Sequence, residues 1–203
     1  FDGIIAACGN YIEMDGKVIY ENNLSADMVQ KVIRVLSECK MPVVLEGSTD
    51  YWIDDEGFED DPYVDYLFES LGEHAHIIRG YNGEIRINKF SADVIDGTDY
   101  ERVKTEFADD FLILEHVENV VEFVPKGTSK ATGIKWLCNH LDIPLDETYA
   151  IGDSVNDLEM LESVGHGIAM GNSMPPAKEI AEYVTSDISD DGVKNALKHY
   201  GLI

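Results

Sequence analysis

Basic residues are scarce in this chain. Only 15 Lys and Arg stand against 40 Asp and Glu, a formal net charge of −25 over 203 residues. Nucleic acids and anionic membranes are gripped by Lys and Arg, so this balance argues against both as partners. It leaves open a small phosphorylated ligand, which needs only a local positive group or a metal ion. Cysteine is scarce too. Cys8, Cys39 and Cys138 are odd in number, far apart and without a CxxC pair. That usage fits a reduced compartment and core packing better than a disulfide framework. No apolar run is long enough to span a bilayer, and no signal peptide is visible, so a cytoplasmic protein is expected. The phosphate loop GxxxxGK[ST], the elbow GxSxG and the zinc motif HExxH are all missing, as are repeats and low-complexity tracts. Methionine is missing from the first position. The chain opens at Phe1 and runs at once into the apolar Gly3–Cys8, so the sequence is expected to begin inside a domain.

What is present can build a core, since 44% of the residues are hydrophobic. Gly3 to Cys8 reads as a parallel strand covered on both faces. Tyr11 to Tyr20 reads as a hairpin around Asp15-Gly16. Ser25 is an N-cap for a helix over Ala26 to Cys39, with Met28, Val32, Val35 and Leu36 as its apolar stripe. Strands are expected at Val43–Leu45, His76–Arg79, Glu84–Ile87, Phe111–Leu114 and Asn119–Val124, and helices at Pro62–Leu71 and Tyr100–Ala108. Asp54 to Asp61 is an acidic loop. This middle stretch has an α+β texture. After Pro125 the pattern becomes a strict alternation: helix Ser129–Leu141, strand Thr148–Gly152, helix Val155–Ser163, strand Gly167–Met170, a helix from Pro175, strand Tyr183–Thr185 and helix Gly192–Tyr200. Such alternation indicates α/β structure with a parallel sheet, to which Gly3–Cys8 is assigned.

The densest chemistry lies in Tyr149-Ala-Ile-Gly-Asp-Ser-Val-Asn-Asp-Leu-Glu-Met160. An apolar strand ends at Gly152. A helix starting there gathers Asp153, Asn156 and Asp157 on one side of a turn, followed by the anchors Leu158 and Leu161. Two carboxylates and an amide at the carboxyl end of a strand suit a hard cation and a phosphate. Asp153 or Ser154 alone would be read as an ordinary helix cap. Lys130 is the second candidate. It opens the helix after Ser129, facing the positive end of the helix dipole, which is the less favourable end for a cation. On its own it reads as a surface lysine. Beside Asp153 it could pair with the carboxylates and hold a phosphoryl oxygen.

Several strings imitate other motifs. Gly165-His-Gly-Ile-Ala-Met-Gly171 approaches GxGxxG, but its third glycine comes one place late and a strand follows. His74 and His76 could share a strand face, without a third ligand. Glu46-Gly-Ser48 and Arg79 are candidates for ligand contact for which core or surface roles fit better.

Gly152-Asp-Ser-Val-Asn-Asp157 together with Lys130 resembles the haloacid dehalogenase superfamily of phosphatases, and most of all its Cof-type branch. Supporting strings span the chain: Phe1-Asp-Gly-Ile-Ile5, Pro125-Lys-Gly-Thr-Ser-Lys130, Gly167-Ile-Ala-Met-Gly-Asn172, Val184-Thr-Ser186 and Asp191-Gly-Val193. The resemblance implies a Rossmann-like α/β core, a parallel sheet with helices on both faces, carrying an inserted α+β cap. Residues 1–23 and 123–203 would form the core and 24–122 the cap. It implies a Mg²⁺-dependent phosphatase of small phosphorylated metabolites, such as sugar phosphates, working through an aspartyl-phosphate. Asp153 would be a direct metal ligand and Asp157 would support it through water. Lys130 would neutralise nucleophile and phosphate, and Asn156 would orient either Lys130 or the phosphate.

The family's nucleophile motif, DxDGT after an apolar strand, does not occur. Asp93-Val-Ile-Asp-Gly-Thr98 is one residue too long, and Glu13-Met-Asp-Gly16 has Glu first and Lys17 in place of Thr. Asp2-Gly3 lacks everything before it. Val43-Val-Leu-Glu-Gly-Ser48 only mimics the Ser/Thr motif. Cys8 and Ala131 stand where the family often has Asn and Gly. The chain by itself is therefore expected to be inactive, with the nucleophile upstream of Phe1. The alternative is a non-catalytic protein that holds a phosphorylated ligand at the Asp153 cation site and the cap cleft. A phosphomutase or a glycan-phosphate phosphatase is a further possibility within the superfamily.

Overall fold

The computed structural model describes residues 1–54, 60–79, 81, 83–116 and 119–203. The acidic loop expected between Asp54 and Asp61 falls mostly outside them, as does Asn82. In chain order the elements are β1 (Gly3–Ala6), β2 (Tyr11–Met14), β3 (Lys17–Glu21), α1 (Ala26–Glu38), β4 (Val43–Glu46), β5 (Tyr51–Asp54), α2 (Pro62–Leu71), β6 (Ala75–Ile77), β7 (Lys89–Asp93), α3 (Tyr100–Phe107), β8 (Phe111–Glu115) and β9 (Val120–Pro125). Then come α4 (Lys130–Leu141), β10 (Tyr149–Gly152), α5 (Leu158–Ser163), β11 (His166–Ala169), α6 (Pro175–Ile180), β12 (Tyr183–Val184) and α7 (Gly192–His199). Among the described residues no helix is long and apolar enough to cross a membrane.

The chain forms two compact units, Phe1–Asp15 with Thr128–Ile203, and Gly16–Gly127. Both crossings fall at left-handed backbone: Asp15 (φ 50), Gly16 (φ 72) and Gly127 (φ 79). Glycine takes this conformation without a Cβ penalty. The sequence reading placed the crossings later and earlier, after Asn23 and after Glu122. The difference arises because β3 opens the 16–127 unit and all of β9 is a ladder strand within it.

In the larger unit, a six-stranded sheet has the order β6-β5-β4-β7-β9-β8. All its pairings are antiparallel except β5 with β6. The pleat sorts its residues by face. Leu45 pairs with Phe90 and Phe90 with Phe123. With Val43, Ala92 and Val121 they pack on Val29, Val32, Val35 and Leu36 of α1 and on Val103 and Phe107 of α3. Phe90 lies at the centre, stacked on Phe123 at 4.5 Å and edge-on to Phe107 and Phe111. The opposite face carries Val44 and Ile53, which pack on Val64 of α2. Beside them stand Glu46, Lys89, Ser91 and Glu122. The N-caps Ser25, Asp61 and Asp99 each accept N–H bonds from the first turn of α1, α2 and α3. Residues 84–87 are not a strand, and β5 and β7 were not expected. β7, Lys89-Phe-Ser-Ala-Asp93, alternates polar and apolar residues, but over five positions and with only Phe90 and Ala92 as its apolar members.

In the smaller unit, β10, β11 and β12 form a parallel sheet, Ala150 pairing with Gly167 and Ile168 with Tyr183. The α/β class holds. The strand at the chain start does not belong to this sheet. β1 pairs antiparallel with β2, Gly3 opposite Met14, and Ile4 is 55% exposed. A short apolar run cannot by itself distinguish a covered parallel strand from a half-open antiparallel one. What decides is the reversal that follows, where Ala7 (φ 48), Cys8 (φ 52) and Gly9 (φ 84) are all left-handed. α4 departs from the apolar stripe that helical spacing gives it, Ile134, Leu137, Cys138 and Leu141. It buries the small residues Ala131 and Gly133 with Cys138, while Leu141 is 42% exposed. A Cβ on Gly9 would fall 2.1 Å from the Ser129 carbonyl oxygen, and one on Gly133 would fall 2.9 Å from Gly9 Cα. The two glycines let the β1–β2 turn press against the first turn of α4.

Candidate active site

Lys130 is the first residue of α4, and its position is set by its neighbours. Ser129 and Thr132 form a capping box: Ser129 N–H donates to Thr132 Oγ1 (2.8 Å) and Thr132 N–H to Ser129 Oγ (3.3 Å). The fully buried Asn10 donates from Nδ2 to the Ala7 carbonyl (2.8 Å) and to Thr128 Oγ1 (3.2 Å). The left-handed turn and the start of α4 are thus tied together just before Lys130.

The second half of the site follows β10. Gly152 ends the strand. A single 3₁₀ turn, Val155–Asp157, precedes α5, so the α-helix begins later than the spacing suggests. The consequence corrects the expected arrangement. Asp153 and Asn156 are exposed, whereas Asp157 turns inward and is only 4% exposed. Its Oδ2 accepts the N–H groups of Asp153 (3.0 Å) and Ser154 (3.2 Å). Its Oδ1 accepts Lys130 Nζ at 2.6 Å. A Cβ on Gly152 would stand 2.7 Å from the Asp157 Cβ, so glycine makes room for this inward turn. Asn156 Oδ1 accepts the Ser154 hydroxyl and lies 3.4 Å from Lys130 Nζ. Leu161 is the buried anchor, and Leu158 packs partly buried beside it.

Burial pushes the Asp157 carboxyl up, but the hydrogen bonds from Lys130 and from the Asp153 and Ser154 amides outweigh it. The group titrates below the ordinary 3.8. Asp157 is therefore held as a carboxylate with both oxygens engaged. The Asp153 carboxylate, by contrast, is exposed, and no described residue bonds to it. Lys130 has three N–H donors. One is taken by Asp157, one is within long reach of Asn156, and its side chain stays 41% exposed. The structure thus brings Lys130, Asn156 and Asp157 into contact, with Asp153 adjoining along the backbone. One ammonium, one unpaired carboxylate and one amide face outward at the carboxyl end of a parallel strand. Such a set can hold an anion and a hard cation together. No group of three or more His, Cys, Asp or Glu converges among the described residues.

The remaining strings have local roles. His76 Nε2 bonds Asp50 Oδ1 at 2.7 Å and its ring lies beside Trp52. Thr98 Oγ1 accepts the Ile95 N–H and donates to the Lys40 carbonyl, closing a turn. Glu13 accepts the Tyr11 hydroxyl at 2.8 Å. Ser48 donates to Glu21 at 2.8 Å, and Glu46 bonds Lys89 and Ser91. Gly165 and Gly167 admit the backbones of Asp146 and Leu161, where a Cβ would come within 2.2 Å of a carbonyl oxygen.

The description haloacid dehalogenase-like hydrolase matches residues 2–197 of this chain. The chain belongs to this family. Within it the chain is of the Cof type. The Bacillus subtilis (strain 168) protein YkrA, whose phosphatase designation is provisional, is 30% identical over 208 residues, covering 96% of this chain and 74% of YkrA. The 5-amino-6-(5-phospho-D-ribitylamino)uracil phosphatase YitU of the same organism is 40% identical over 82 residues, 40% of this chain and 30% of YitU. A solved structure of a hypothetical protein from Geobacillus kaustophilus HTA426 superposes with a TM-score of 0.86 at 26% identity, over 100% of this chain and 78% of that one. The chain thus spans about three quarters of the length of YkrA and of that solved structure. Family membership and the phosphatase names among the relatives make phosphoric monoester hydrolase the enzyme class of the protein.

Proposed function

We propose that the haloacid dehalogenase-like protein of which this sequence is read hydrolyses small phosphorylated metabolites, sugar phosphates or similar, in a Mg²⁺-dependent reaction. The observation that carries the reading is Lys130 Nζ, 2.6 Å from Asp157 Oδ1 and within reach of Asn156, next to the exposed Asp153. Mg²⁺ binds through one or two carboxylates and fills its octahedron with waters and phosphate oxygens. The donor set fits that habit. Asp153 has its carboxylate available as a direct ligand. Asp157, with Oδ1 on Lys130 and Oδ2 on two amides, reaches a cation only through water. When bound, the ion would offset the repulsion between an anionic nucleophile and a phosphate.

The chain's own residues do the positioning. Asp157 holds Lys130 by one oxygen and the Asp153–Ser154 backbone by the other, so a single carboxylate sets both halves of the site. Lys130 keeps a donor for a phosphoryl oxygen and neutralises charge as it develops. Asn156, its Oδ1 occupied, keeps its Nδ2 donors for the phosphate. The nucleophile is an aspartate that takes the phosphoryl group as an aspartyl-phosphate, and a second carboxyl serves as acid and base. No DxDGT string supplies these two groups here, so the 203-residue chain alone binds without turnover. Residues 1–15 and 128–203 act as the core and 16–127 as the cap that selects substrate. The working compartment is the cytoplasm.

An assay of the chain against sugar phosphates with and without Mg²⁺ tests the reading. The expected outcome is phosphate-analogue binding that needs Lys130 and Asp153, with no phosphate release. Metal-dependent hydrolysis by the bare chain would contradict the assigned division of labour. Failure of any phosphate analogue to bind would contradict the site itself.

A further inference from the structure

The peptide units on either side of Asp153 are held from outside their own loop. The Gly152 carbonyl accepts two donors, the Met170 N–H at 3.0 Å and the Ser173 hydroxyl at 3.2 Å. The Asp153 carbonyl accepts the Met174 N–H at 2.9 Å. The Asp153 N–H is already bound by Asp157 Oδ2 at 3.0 Å. Every backbone polar group around Asp153 is therefore engaged, and only its side chain is left to solvent. Three of these four bonds come from one turn, Met170–Met174, which follows β11.

That turn is itself anchored on its far side. Gly171 N–H donates to the Ser186 carbonyl (3.0 Å), and a Cβ on Gly171 would fall 2.5 Å from Asp187 N. Asn172 Oδ1 accepts the Ile188 N–H at 3.1 Å, and Ser173 N–H closes the turn onto the Met170 carbonyl at 2.9 Å. Ser173 is 6% exposed. A buried hydroxyl is costly unless bonded, and this one uses its hydrogen on the carbonyl directly before Asp153. Amides of the turn would contact β10 whatever residue stood at 173. Of the three bonds that the turn makes to Gly152 and Asp153, the hydroxyl's is the one made by a side chain.

We infer that Ser173 is a positioning residue: its hydroxyl fixes the Gly152–Asp153 peptide and so orients the exposed Asp153 carboxylate. The inference rests on the reading of Asp153 as a cation ligand for its consequence, though not for its geometry. Partners that orient a ligand are worth about 10–100-fold in metal affinity. Ser173 touches Asp153 through one peptide plane, so the lower end of that range is expected.

The test uses the whole 203-residue chain, with Mg²⁺ alone as the probe. Metal-free NMR gives the Asp153 side-chain couplings, and titration gives the Mg²⁺ affinity. Ser173→Ala should average the Asp153 χ1 couplings and weaken Mg²⁺ binding about tenfold. The Asp157 carboxyl titration should not move, since its partners are untouched. Asn172→Ala breaks the neighbouring bond to Ile188 in the same turn but leaves the Gly152 contact. It should leave the Asp153 couplings and the affinity near those of the wild type. Unchanged couplings and affinity in Ser173→Ala would overturn the inference, with Asp153 still a ligand. Equal losses in both variants would also overturn it, since general loosening of the turn would then explain them. If the wild type binds no Mg²⁺, the ligand reading fails, and the metal-free couplings still decide whether Ser173 orients Asp153.

Discussion

Two lysine–carboxylate clusters, one in each compact unit, look alike on paper and differ in what they leave undone. On the sheet face of the 16–127 unit, Lys89 lies between Glu46 and Glu122. Glu46 also accepts Ser91, and Glu122 is 3.0 Å from His116 Nε2. Each carboxylate oxygen of this network has a partner, and the side chains of Lys89, Glu46 and Glu122 are only 16–18% exposed. In the other unit, Lys130 serves one buried carboxylate and remains 41% exposed, next to a second carboxylate with no bonded neighbour among the described residues. The closed network is saturated and holds three strands in register. The open one has spare donors and a spare acceptor on a backbone that is fully tied down. Spare capacity on a rigid support separates a site from a structural ion pair more clearly than residue types do.

Removing the central lysine should separate the two most strongly. Lys89→Met leaves Glu46 and Glu122 mostly buried with no cation between them. Breaking a buried pair in this way costs about 3–5 kcal/mol. Each unit holds one tryptophan, Trp52 or Trp136, so denaturant unfolding followed through Trp52 checks it. A loss under about 1 kcal/mol would mean the network behaves as a surface ion pair. Asp157→Ala comes next, with an expected loss of about 1–3 kcal/mol, because the Asp153 and Ser154 amides lose their acceptor. Trp136 fluorescence reports it. Lys130→Met should cost only about 1 kcal/mol, since Asp157 keeps its two amide donors, yet it should remove phosphate-analogue binding. Asp153→Asn should change stability by less than about 0.5 kcal/mol.

Acid and alkali should sharpen the same contrast. Asp157 titrates below its ordinary 3.8 and Glu122 below 4.5. For Glu122, burial opposes the shift and Lys89 and His116 overcome it. In both, the unfolded chain binds more protons across the window. Their stabilisation is thus full above the ordinary values and lost as pH falls through the folded ones. Lys89 titrates above 10.5, burial opposing and the two glutamates prevailing. Its contribution is full below 10.5 and lost as pH rises through the folded value. The 16–127 unit should therefore lose stability at both extremes from its network. In the other unit, Asp157 should add an acid-side loss. Unfolding midpoints against pH, read separately through Trp52 and Trp136, measure this.

Where the sequence was legible, local chemistry decided the structure. Helix α1 showed through its Ser25 cap and its apolar stripe, and β10 through a short apolar run ending at Gly152. Lys130 meets Asn156 and Asp157 in space, 26 and 27 positions away in sequence. What was not legible depended on contacts distant in sequence. β1 looked like a covered parallel strand because its antiparallel partner and its left-handed exit leave no pattern in its own residues. β7 was missed because its alternation is only five residues long and rests on Phe90 and Ala92 alone. The inward turn of Asp157 was hidden because nothing in the expected helix Val155–Ser163 marks its first turn as 3₁₀. Gly152, read only as the end of a strand, is what makes the inward turn possible. Ser173 carries no motif, and its bond to a carbonyl 21 residues away appears only in the fold.

The most direct measurement is a Mg²⁺ titration of the chain and of Asp153→Asn, each with and without inorganic phosphate, read by calorimetry and by carboxyl NMR. The account predicts that the wild type binds Mg²⁺, that phosphate strengthens the binding, that the signal shifts at Asp153 more than at Asp157, and that Asp153→Asn abolishes it. Equal binding by wild type and Asp153→Asn, or no binding even with phosphate present, would contradict it.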